Sequence, residues 1–227
     1  MPHRPFLPIT AIDFKKFETD KEKVMGYEDA FKRWACNNRQ DVKNILEIGV
    51  HYAGAIPLWL TLYPSASIHG IDNEYWCKEY FHKPDQDVYI HILDQGNVEH
   101  LENFVNALNS INLKFDIIVD DGGHKVSQQL LSLRYLWRTL APGGLYVIED
   151  LHTSRRTETE ETRKYYEVDP NVLTTLEVME YFRRRQPCET KYIPKEEIQS
   201  MLDNMEFCEI DRGNGKFESE ISFLKFK

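Results

Sequence analysis

Two clusters of acidic residues follow apolar segments of this sequence. The first ends the segment from Asp116 to His124, and the second is the pair Glu149-Asp150. Between them, residues 125–140 have the pattern of a helix that is closed by a Pro-Gly-Gly turn. A strand–helix–strand unit of this length predicts two parallel strands, so both clusters would emerge at the same edge of a sheet. Open α/β sheets bind ligands at that edge, and carboxylates crowded there predict a metal ion or another cationic ligand.

Helix capping is the alternative explanation of these acids. Asp121 has the residue type and the position of an N-cap for the helix that follows it. Capping accounts for that acid but leaves Glu149 and Asp150 without a role. His124 also has two interpretations: a general base that exchanges protons near neutral pH, or a structural partner of Asp121 at the start of the helix.

A strand-to-helix loop with two glycines, Gly49 and Gly54, precedes both clusters. A dinucleotide fingerprint would require a third glycine at position 51, where this chain has His51, and that side chain would obstruct a pyrophosphate. No Lys-Ser/Thr pair follows the second glycine, which excludes a phosphate-binding P-loop. The loop therefore predicts a site for a nucleoside without a pyrophosphate.

Acids also end the next two predicted strands. Asp72 is placed to accept hydrogen bonds from ribose hydroxyls, and Asp94-Gln95 is placed to contact an adenine amino group. The alternative is that Asp72 and Asp94 are ordinary turn residues. Three successive strand ends with suitable residues favour the cofactor interpretation.

The composition limits the class of protein. A length of 227 residues fits one α/β domain, and a formal net charge of −9 argues against a nucleic-acid partner. The four cysteines have no C-x-x-C spacing, which is typical of reduced thiols rather than zinc ligands or disulfides. The N-terminus has no apolar leader and the chain has no apolar run of transmembrane length, so we expect a cytoplasmic protein without a membrane partner.

The pattern alternates strands and helices, which predicts a doubly wound, mostly parallel sheet. We expect one domain over residues 1–227, with an N-terminal arm and helix over 1–40, a mobile loop over 154–167 and a C-terminal antiparallel hairpin. The strands are predicted at 44–49, 67–72, 87–94, 116–121, 146–150, 207–211 and 221–226, and the helices at 27–34, 54–62, 98–108, 125–140, 171–185 and 195–204.

At the chemically suggestive positions the chain resembles the macrocin O-methyltransferase family. These are class I enzymes that depend on S-adenosylmethionine and magnesium and that methylate sugar or polyketide hydroxyls in antibiotic biosynthesis. The resemblance extends from about Thr19 to Ser154 and is weak beyond. It rests on these segments: Glu47-Ile-Gly-Val, Trp59, Tyr63-Pro64, Ile68-His-Gly-Ile-Asp72, Asp94-Gln95, Asp116-Ile-Ile-Val-Asp-Asp-Gly-Gly-His124 and Pro142-Gly-Gly-Leu-Tyr-Val-Ile-Glu-Asp-Leu-His-Thr-Ser154.

The resemblance implies a role for each matching residue. His124 would be the base, the metal ligands would be Asp121, Glu149 and Asp150, and the cofactor contacts would be Glu47, Gly49, Asp72, Asp94 and Gln95, to which we add Asp120. The chain departs from the family at three positions: Ala53 stands where the family usually has glycine, Gly123 where it often has serine, and Met25 where it commonly has the histidine of a His-Gly-Tyr motif.

These observations predict an O-methyltransferase that uses S-adenosylmethionine and Mg²⁺ and acts on a small-molecule hydroxyl, such as that of a glycoside or polyketide. A metal ion would lower the pKa of the acceptor hydroxyl and orient it for in-line methyl transfer. Two alternatives stay open at this stage: an NAD-binding oxidoreductase, which His51 disfavours, and a non-catalytic methyltransferase-like binding protein. The sequence also leaves homo-oligomerisation open.

Overall fold

The structure is a computed structural model that describes residues 4–81 and 87–227. Its helices are α1 (Asp20–Lys23), α2 (Glu28–Trp34), α3 (Ile56–Leu62), α4 (Val98–Ser110), α5 (Val126–Leu136), α6 (Glu160–Tyr165), α7 (Thr175–Arg183) and α8 (Lys195–Asn204). Its strands are β1 (Asn44–Ile48), β2 (Ser67–Asp72), β3 (Val88–Ile92), β4 (Phe115–Asp120), β5 (Leu140–Ile148), β6 (Met205–Arg212) and β7 (Glu220–Phe226). None of the helices in these two ranges is long and apolar enough to cross a bilayer.

The strands of the described residues form one mixed sheet in the order β3-β2-β1-β4-β5-β7-β6. The first five strands in this order are parallel, whereas β7 pairs antiparallel with both β5 and β6. This confirms the predicted doubly wound sheet with a C-terminal antiparallel hairpin. The order in which strands are added to the sheet reverses between the adjacent parallel strands β1 and β4, and open α/β sheets bind ligands at such a switch point.

The register aligns the carboxyl ends of the central strands. Ile48 of β1 pairs with Ile71 of β2 and with Asp120 of β4, and Asp120 pairs with Ile148 of β5. The residues that follow these strands therefore emerge together at one edge, as the crossover argument predicted. Apolar side chains cover both faces of the sheet: Leu46 and Ile48 face α4 and α5, and the intervening positions of β1 face the arm and α3.

The helix predicted over residues 125–140 was too long. Helix α5 ends at Leu136, a single 3-10 turn covers Trp137–Thr139, and β5 already begins at Leu140. The strand starts before the Pro-Gly-Gly turn because Leu140 pairs with Phe115, and an irregularity in the register then accommodates the turn. Sequence reasoning had used those glycines to end the helix, whereas they lie inside the strand.

The N-terminal arm and the segment predicted as a mobile loop both contain short elements. The N-terminal arm has 3-10 turns at Ile9–Ala11 and Phe14–Lys16 and then α1, and it buries apolar and charged side chains. The segment over residues 154–167 contains α6, and Arg155, which precedes that helix, forms an ion pair with Glu220 of β7. Whether residues 154–167 are mobile stays a prediction.

Candidate active site

A cavity of about 590 Å³ opens at the carboxyl ends of the parallel strands. The arm closes one side of it with residues 18–20, and the loop after β1 forms another wall. Predicted cofactor residues that line it are Glu47, Gly49, Asp72, Asp94 and Gln95, and Asp121 and His124 also contribute. Asp120 does not belong to the lining, because its side chain is fully buried behind the acidic loop.

The glycine loop packs directly against the first acidic cluster. Gly49 has φ of 89°, and a Cβ atom added there would lie 2.1 Å from the carbonyl oxygen of Asp121. Only glycine permits both this backbone conformation and this contact. Two further residues of the loop, His51 and Ala53, have φ of 46° and 60°. Ala53, which stands where the resembled family usually has glycine, therefore has a backbone conformation that favours glycine.

Asp72 holds the loop in place. Its Oδ2 atom accepts hydrogen bonds from the backbone nitrogens of Val50 at 3.0 Å and His51 at 2.9 Å, and its Oδ1 atom accepts one from Glu74 at 2.9 Å. Asp72 is therefore a structural acceptor as well as a cavity residue. A ribose contact stays a prediction that uses the remaining lone pairs of the same oxygens.

Gln95 connects the third strand end to the acidic loop. Its Oε1 atom accepts from the backbone nitrogen of Gly123 at 2.9 Å, and its Nε2 atom donates to Asp120 Oδ1 at 3.1 Å and to Ser132 Oγ at 3.0 Å. Burial raises the pKa of Asp120 to about 7, even though the Gln95 amide hydrogen bond favours the carboxylate. Asp120 thus positions Gln95 from behind the cavity.

Asp121, His124 and Asp150 converge on one point. Each offers an atom that could bind a metal ion, and these atoms all lie within 4.8 Å of one another. The Nε2 atom of His124 is 3.7 Å from Asp150 Oδ2 and 4.0 Å from Asp121 Oδ1. His124 and Asp150 both have left-handed backbone conformations, with φ of 57° and 56°, and lie in the loops that follow β4 and β5. Burial, together with the Asp121 charge, raises the pKa of Asp150 to about 6.

The structure brings two of the three predicted metal ligands to the same point and places the third, Glu149, apart from them. Asp121 and Asp150 face the shared point, whereas Glu149 is fully buried and binds a residue that sequence reasoning did not select, Lys21 of α1. The ammonium nitrogen of Lys21 lies 2.6 Å from Asp121 Oδ2, 2.7 Å from Glu149 Oε1 and 3.6 Å from Glu47 Oε1. Burial lowers the pKa of Lys21, but the surrounding carboxylates outweigh that effect and hold it well above its usual range.

Glu47 is a buried residue of β1 that lines the cavity, and its carboxylate is only partly compensated by positive charge. Neither carboxylate oxygen has a hydrogen-bond partner among the residues that the structure describes, and the Lys21 ammonium is 3.6 Å away. Burial raises the pKa of Glu47 to about 7, and Lys21 opposes this rise only in part. An acid in this state is suited to bind a cationic group that enters the cavity.

The donor set at the acidic cluster fits a hard divalent cation. Carboxylate oxygens of Asp121 and Asp150 are ligands that Mg²⁺ prefers, and an imidazole beside them also suits Mn²⁺. His124 Nδ1 is buried without a hydrogen-bond partner among residues 4–81 and 87–227, so no described group fixes its tautomer.

Comparison with known proteins supports the resemblance that the sequence suggested. The chain is 27% identical over 143 residues to an 8-demethyl-8-alpha-L-rhamnosyl tetracenomycin-C 2'-O-methyltransferase and 33% identical over 135 residues to the corresponding 3'-O-methyltransferase, both from Streptomyces olivaceus. It is 29% identical over 123 residues to demethylmacrocin O-methyltransferase of Streptomyces fradiae. The aligned parts cover 60%, 56% and 51% of this chain but only 36%, 32% and 29% of those proteins, so the chain spans about a third of their length. No protein-family model matches the chain.

Solved structures confirm the class I methyltransferase fold. MycE, a methyltransferase of the mycinamycin biosynthetic pathway solved with Mg and SAH, superposes with a TM-score of 0.63 at 21% identity, over 88% of this chain and 50% of MycE. The plantazolicin methyltransferase BpumL in complex with SAH gives a TM-score of 0.53 at 14% identity, over 89% of this chain and 83% of BpumL.

Proposed function

We propose that this chain is a divalent-metal-dependent O-methyltransferase that transfers a methyl group from S-adenosylmethionine to a hydroxyl of a sugar or another secondary-metabolite acceptor. The convergence of Asp121, His124 and Asp150 beside a cavity of about 590 Å³ carries the proposal. The curated relatives are named as methyltransferases of sugar hydroxyls, which supports the same acceptor class.

The cavity suits the methyl donor. S-adenosylmethionine supplies a methyl group on a sulfonium centre and carries an ammonium group and a nucleoside. The Glu47 carboxylate, whose oxygens accept no hydrogen bond from the described residues, offers a partner for a cationic group, while Asp72 and Asp94 offer acceptors for the nucleoside. The loop with His51 leaves no glycine for close approach to a pyrophosphate, which makes a dinucleotide a poorer occupant.

The acidic cluster suits activation of the acceptor. Asp121 and Asp150 would hold the metal ion, which supplies charge that lowers the pKa of an acceptor hydroxyl and fixes its orientation. His124 would accept the proton that methyl transfer releases, since its ring nitrogen lies 3.7–4.0 Å from the two carboxylates that would hold the ion and is therefore beside the acceptor hydroxyl's binding point. Glu149 supports the cluster from its buried position next to Asp150.

Mass spectrometry of reactions with S-adenosylmethionine tests the proposal. Purified protein, MgCl₂ and a panel of glycosides and phenols should yield a product that is one methyl group heavier, and EDTA should abolish it until Mg²⁺ is restored. Calorimetric titration with S-adenosylmethionine and, separately, with NAD discriminates the oxidoreductase alternative. Cofactor binding without turnover on any acceptor would favour a binding protein, and full turnover after exhaustive chelation would remove the metal from the reaction.

A further inference from the structure

Gln128, in the first turn of α5, lines the cavity and carries a polar atom without a partner. Its Oε1 atom is buried and accepts no hydrogen bond from any residue in the described ranges. A buried amide oxygen that stays unpaired destabilises a protein, so an unpaired oxygen at the wall of a ligand cavity indicates a hydrogen bond with the ligand. The side chain of Gln128 therefore has the state expected of a group that binds the occupant of the cavity.

Two glycines make the space that the Gln128 amide occupies. A Cβ atom added at Gly123 would lie 2.2 Å from Gln128 Oε1, and one added at Gly96 would lie 3.3 Å from Gln128 Cγ. Gly123 belongs to the acidic loop after β4, and Gly96 belongs to the loop after β3. The amide therefore packs against both loops, and a side chain at position 123 would displace it.

The loop after β3 also contains the residues predicted to contact the adenine base. Asp94 Oδ1 accepts a hydrogen bond from the backbone nitrogen of Gly96 at 2.7 Å, so this carboxylate lies beside the turn that contacts Gln128. Gln95 does not offer side-chain amide hydrogens to the base, because its Nε2 atom already donates two hydrogen bonds to fully buried side chains. Gln95 is left with its backbone for such a contact, whereas the amide oxygen of Gln128 is available.

We infer that Gln128 is a specificity-determining residue that recognises the base of the cofactor, with Oε1 as the acceptor for the exocyclic amino group of adenine. The inference rests on the proposed use of S-adenosylmethionine. A glutamine amide suits this role because it presents an acceptor to the amino group and a donor to a neighbouring ring nitrogen. For hypoxanthine, which has an oxo group in place of the amino group, the amide would have to rotate and donate through Nε2 instead.

Calorimetric titration with S-adenosylhomocysteine and with S-inosylhomocysteine, without metal or acceptor, tests this contact. In Gln128→Ala the amino group loses its acceptor, so we expect affinity for S-adenosylhomocysteine to fall by about fivefold or more. Gln128→Glu keeps an acceptor but cannot donate. Its preference for the adenosyl over the inosyl ligand at pH 8 should therefore exceed that of the wild type by about fivefold or more. Gln199→Ala is the matched control, because Gln199 is an exposed glutamine of α8 outside the cavity lining, and it should bind both ligands like the wild type.

Gly123→Ala tests the same contact from the other side. Its Cβ atom would force the Gln128 amide to move, and the atoms that it meets are the end of a flexible side chain, so the fold should be retained. We expect affinity for S-adenosylhomocysteine to fall as it does in Gln128→Ala. The double variant should lose little more than either single variant, because both substitutions remove one and the same contact.

Three results would overturn the inference. The first is an affinity of Gln128→Ala for S-adenosylhomocysteine within about twofold of the wild type. The second is a Gln128→Glu variant that binds the two ligands in the wild-type ratio, since a merely structural role would change both affinities equally. The third is additive losses in the double variant with Gly123→Ala. Wild-type protein that binds neither ligand would overturn this inference and the proposed function together, whereas protein that shows the expected affinities but methylates no acceptor would contradict only the proposed function.

Discussion

The hydroxyl of Tyr27 lies 2.8 Å from Asp150 Oδ1 and 3.2 Å from the backbone nitrogen of Asp150. One buried side chain of the arm thus engages two polar groups of a single site residue. Tyr27→Phe would leave both groups buried without this partner, and we expect it to lower the free energy of unfolding by about 1–3 kcal/mol. Urea denaturation followed by tryptophan fluorescence measures the change.

The same variant should also weaken Mg²⁺ binding, because Asp150 loses the contact that orients its carboxylate. Tyr181→Phe is a suitable control, since Tyr181 lies on α7 and is 38% exposed. It should change the unfolding free energy by less than about 0.5 kcal/mol. Equal effects of the two substitutions would show that the Tyr27 contact does not stabilise the site.

Asp72 provides a second prediction, which concerns the cofactor. Asp72→Ala removes the acceptor that holds the Val50 and His51 amides and any ribose contact, so we expect S-adenosylmethionine binding to weaken by about 1.5–3 kcal/mol. Isothermal titration calorimetry measures the affinity. An unchanged affinity would exclude Asp72 from the cofactor site.

The chain contains a closely matched control for Asp72. Asp116 also accepts two backbone amides through one oxygen, from Lys43 at 2.7 Å and Asn44 at 2.9 Å, but it lies at the amino end of β4, away from the cavity. Asp116→Ala should destabilise the protein and leave cofactor affinity intact. If both variants weakened cofactor binding equally, the effect of Asp72→Ala would reflect general destabilisation of the sheet.

The strand ends of the site were predictable because their signals are local. Apolar runs that stop at Gly49, Asp72 or Asp121 mark buried parallel strands, and parallel pairing then brings their ends to one edge. The crossover between the two acidic clusters predicted that Asp121 and Asp150 would meet, and both belong to the convergent group. The pattern alone carried this inference because a strand end fixes where the following residue lies.

The contribution of the arm could not be read in the same way. Around Lys21 the sequence is a run of charged residues without an apolar face, which is the usual pattern of a solvated segment. Its burial depends on Asp121 and Glu149, which follow 100 and 128 residues later. The one available signal was that acidic residues outnumber basic residues at the strand ends. This signal predicted a metal ion, and it did not indicate that a lysine of the chain itself supplies positive charge.

Glu47 gives a pH-dependent prediction. Its pKa is raised from 4.5 to about 7, so between these values the folded protein keeps a proton that the unfolded chain has released. Stability linked to Glu47 is therefore present below pH 4.5 and is lost as the pH rises through 7. Glu47→Gln removes this loss, and we expect it to raise the free energy of unfolding at pH 8 by on the order of 2 kcal/mol.

Urea denaturation at pH 5 and pH 8, without metal or cofactor, measures this effect. The gain at pH 8 should exceed the gain at pH 5, while Glu99→Gln, at an exposed position of α4, should show no such difference. The stabilised variant should bind S-adenosylmethionine more weakly, because the site loses a charge suited to a cationic group. A variant that is less stable at pH 8 than the wild type would mean that the Lys21 contact outweighs the burial of the Glu47 carboxylate.

The last prediction concerns whether His124 is the base of the proposed reaction or a ligand of the metal ion. The Nε2 atom of His124 lies 4.0 Å from Asp121 Oδ1 and 3.7 Å from Asp150 Oδ2. This position suits two roles, removal of a proton from the acceptor hydroxyl or direct binding of the ion. As the base, it is needed for the rate but not for metal binding. We therefore expect His124→Ala to lower kcat by about 10²–10⁴ while Mg²⁺ and S-adenosylmethionine affinities change little. Steady-state kinetics and calorimetry on the same preparation measure both effects.

Added imidazole distinguishes the remaining outcomes. His124 is partly exposed, with 21% of its side chain accessible, so a small base can approach the space that the alanine variant leaves. Partial recovery of kcat with imidazole at saturating Mg²⁺ would support proton transfer by His124. A rate loss below about tenfold would mean that the metal activates the hydroxyl nearly unaided. A large loss accompanied by loss of Mg²⁺ binding would instead make His124 a ligand, since removing one of the convergent donors Asp121, His124 and Asp150 leaves the ion held by carboxylates alone.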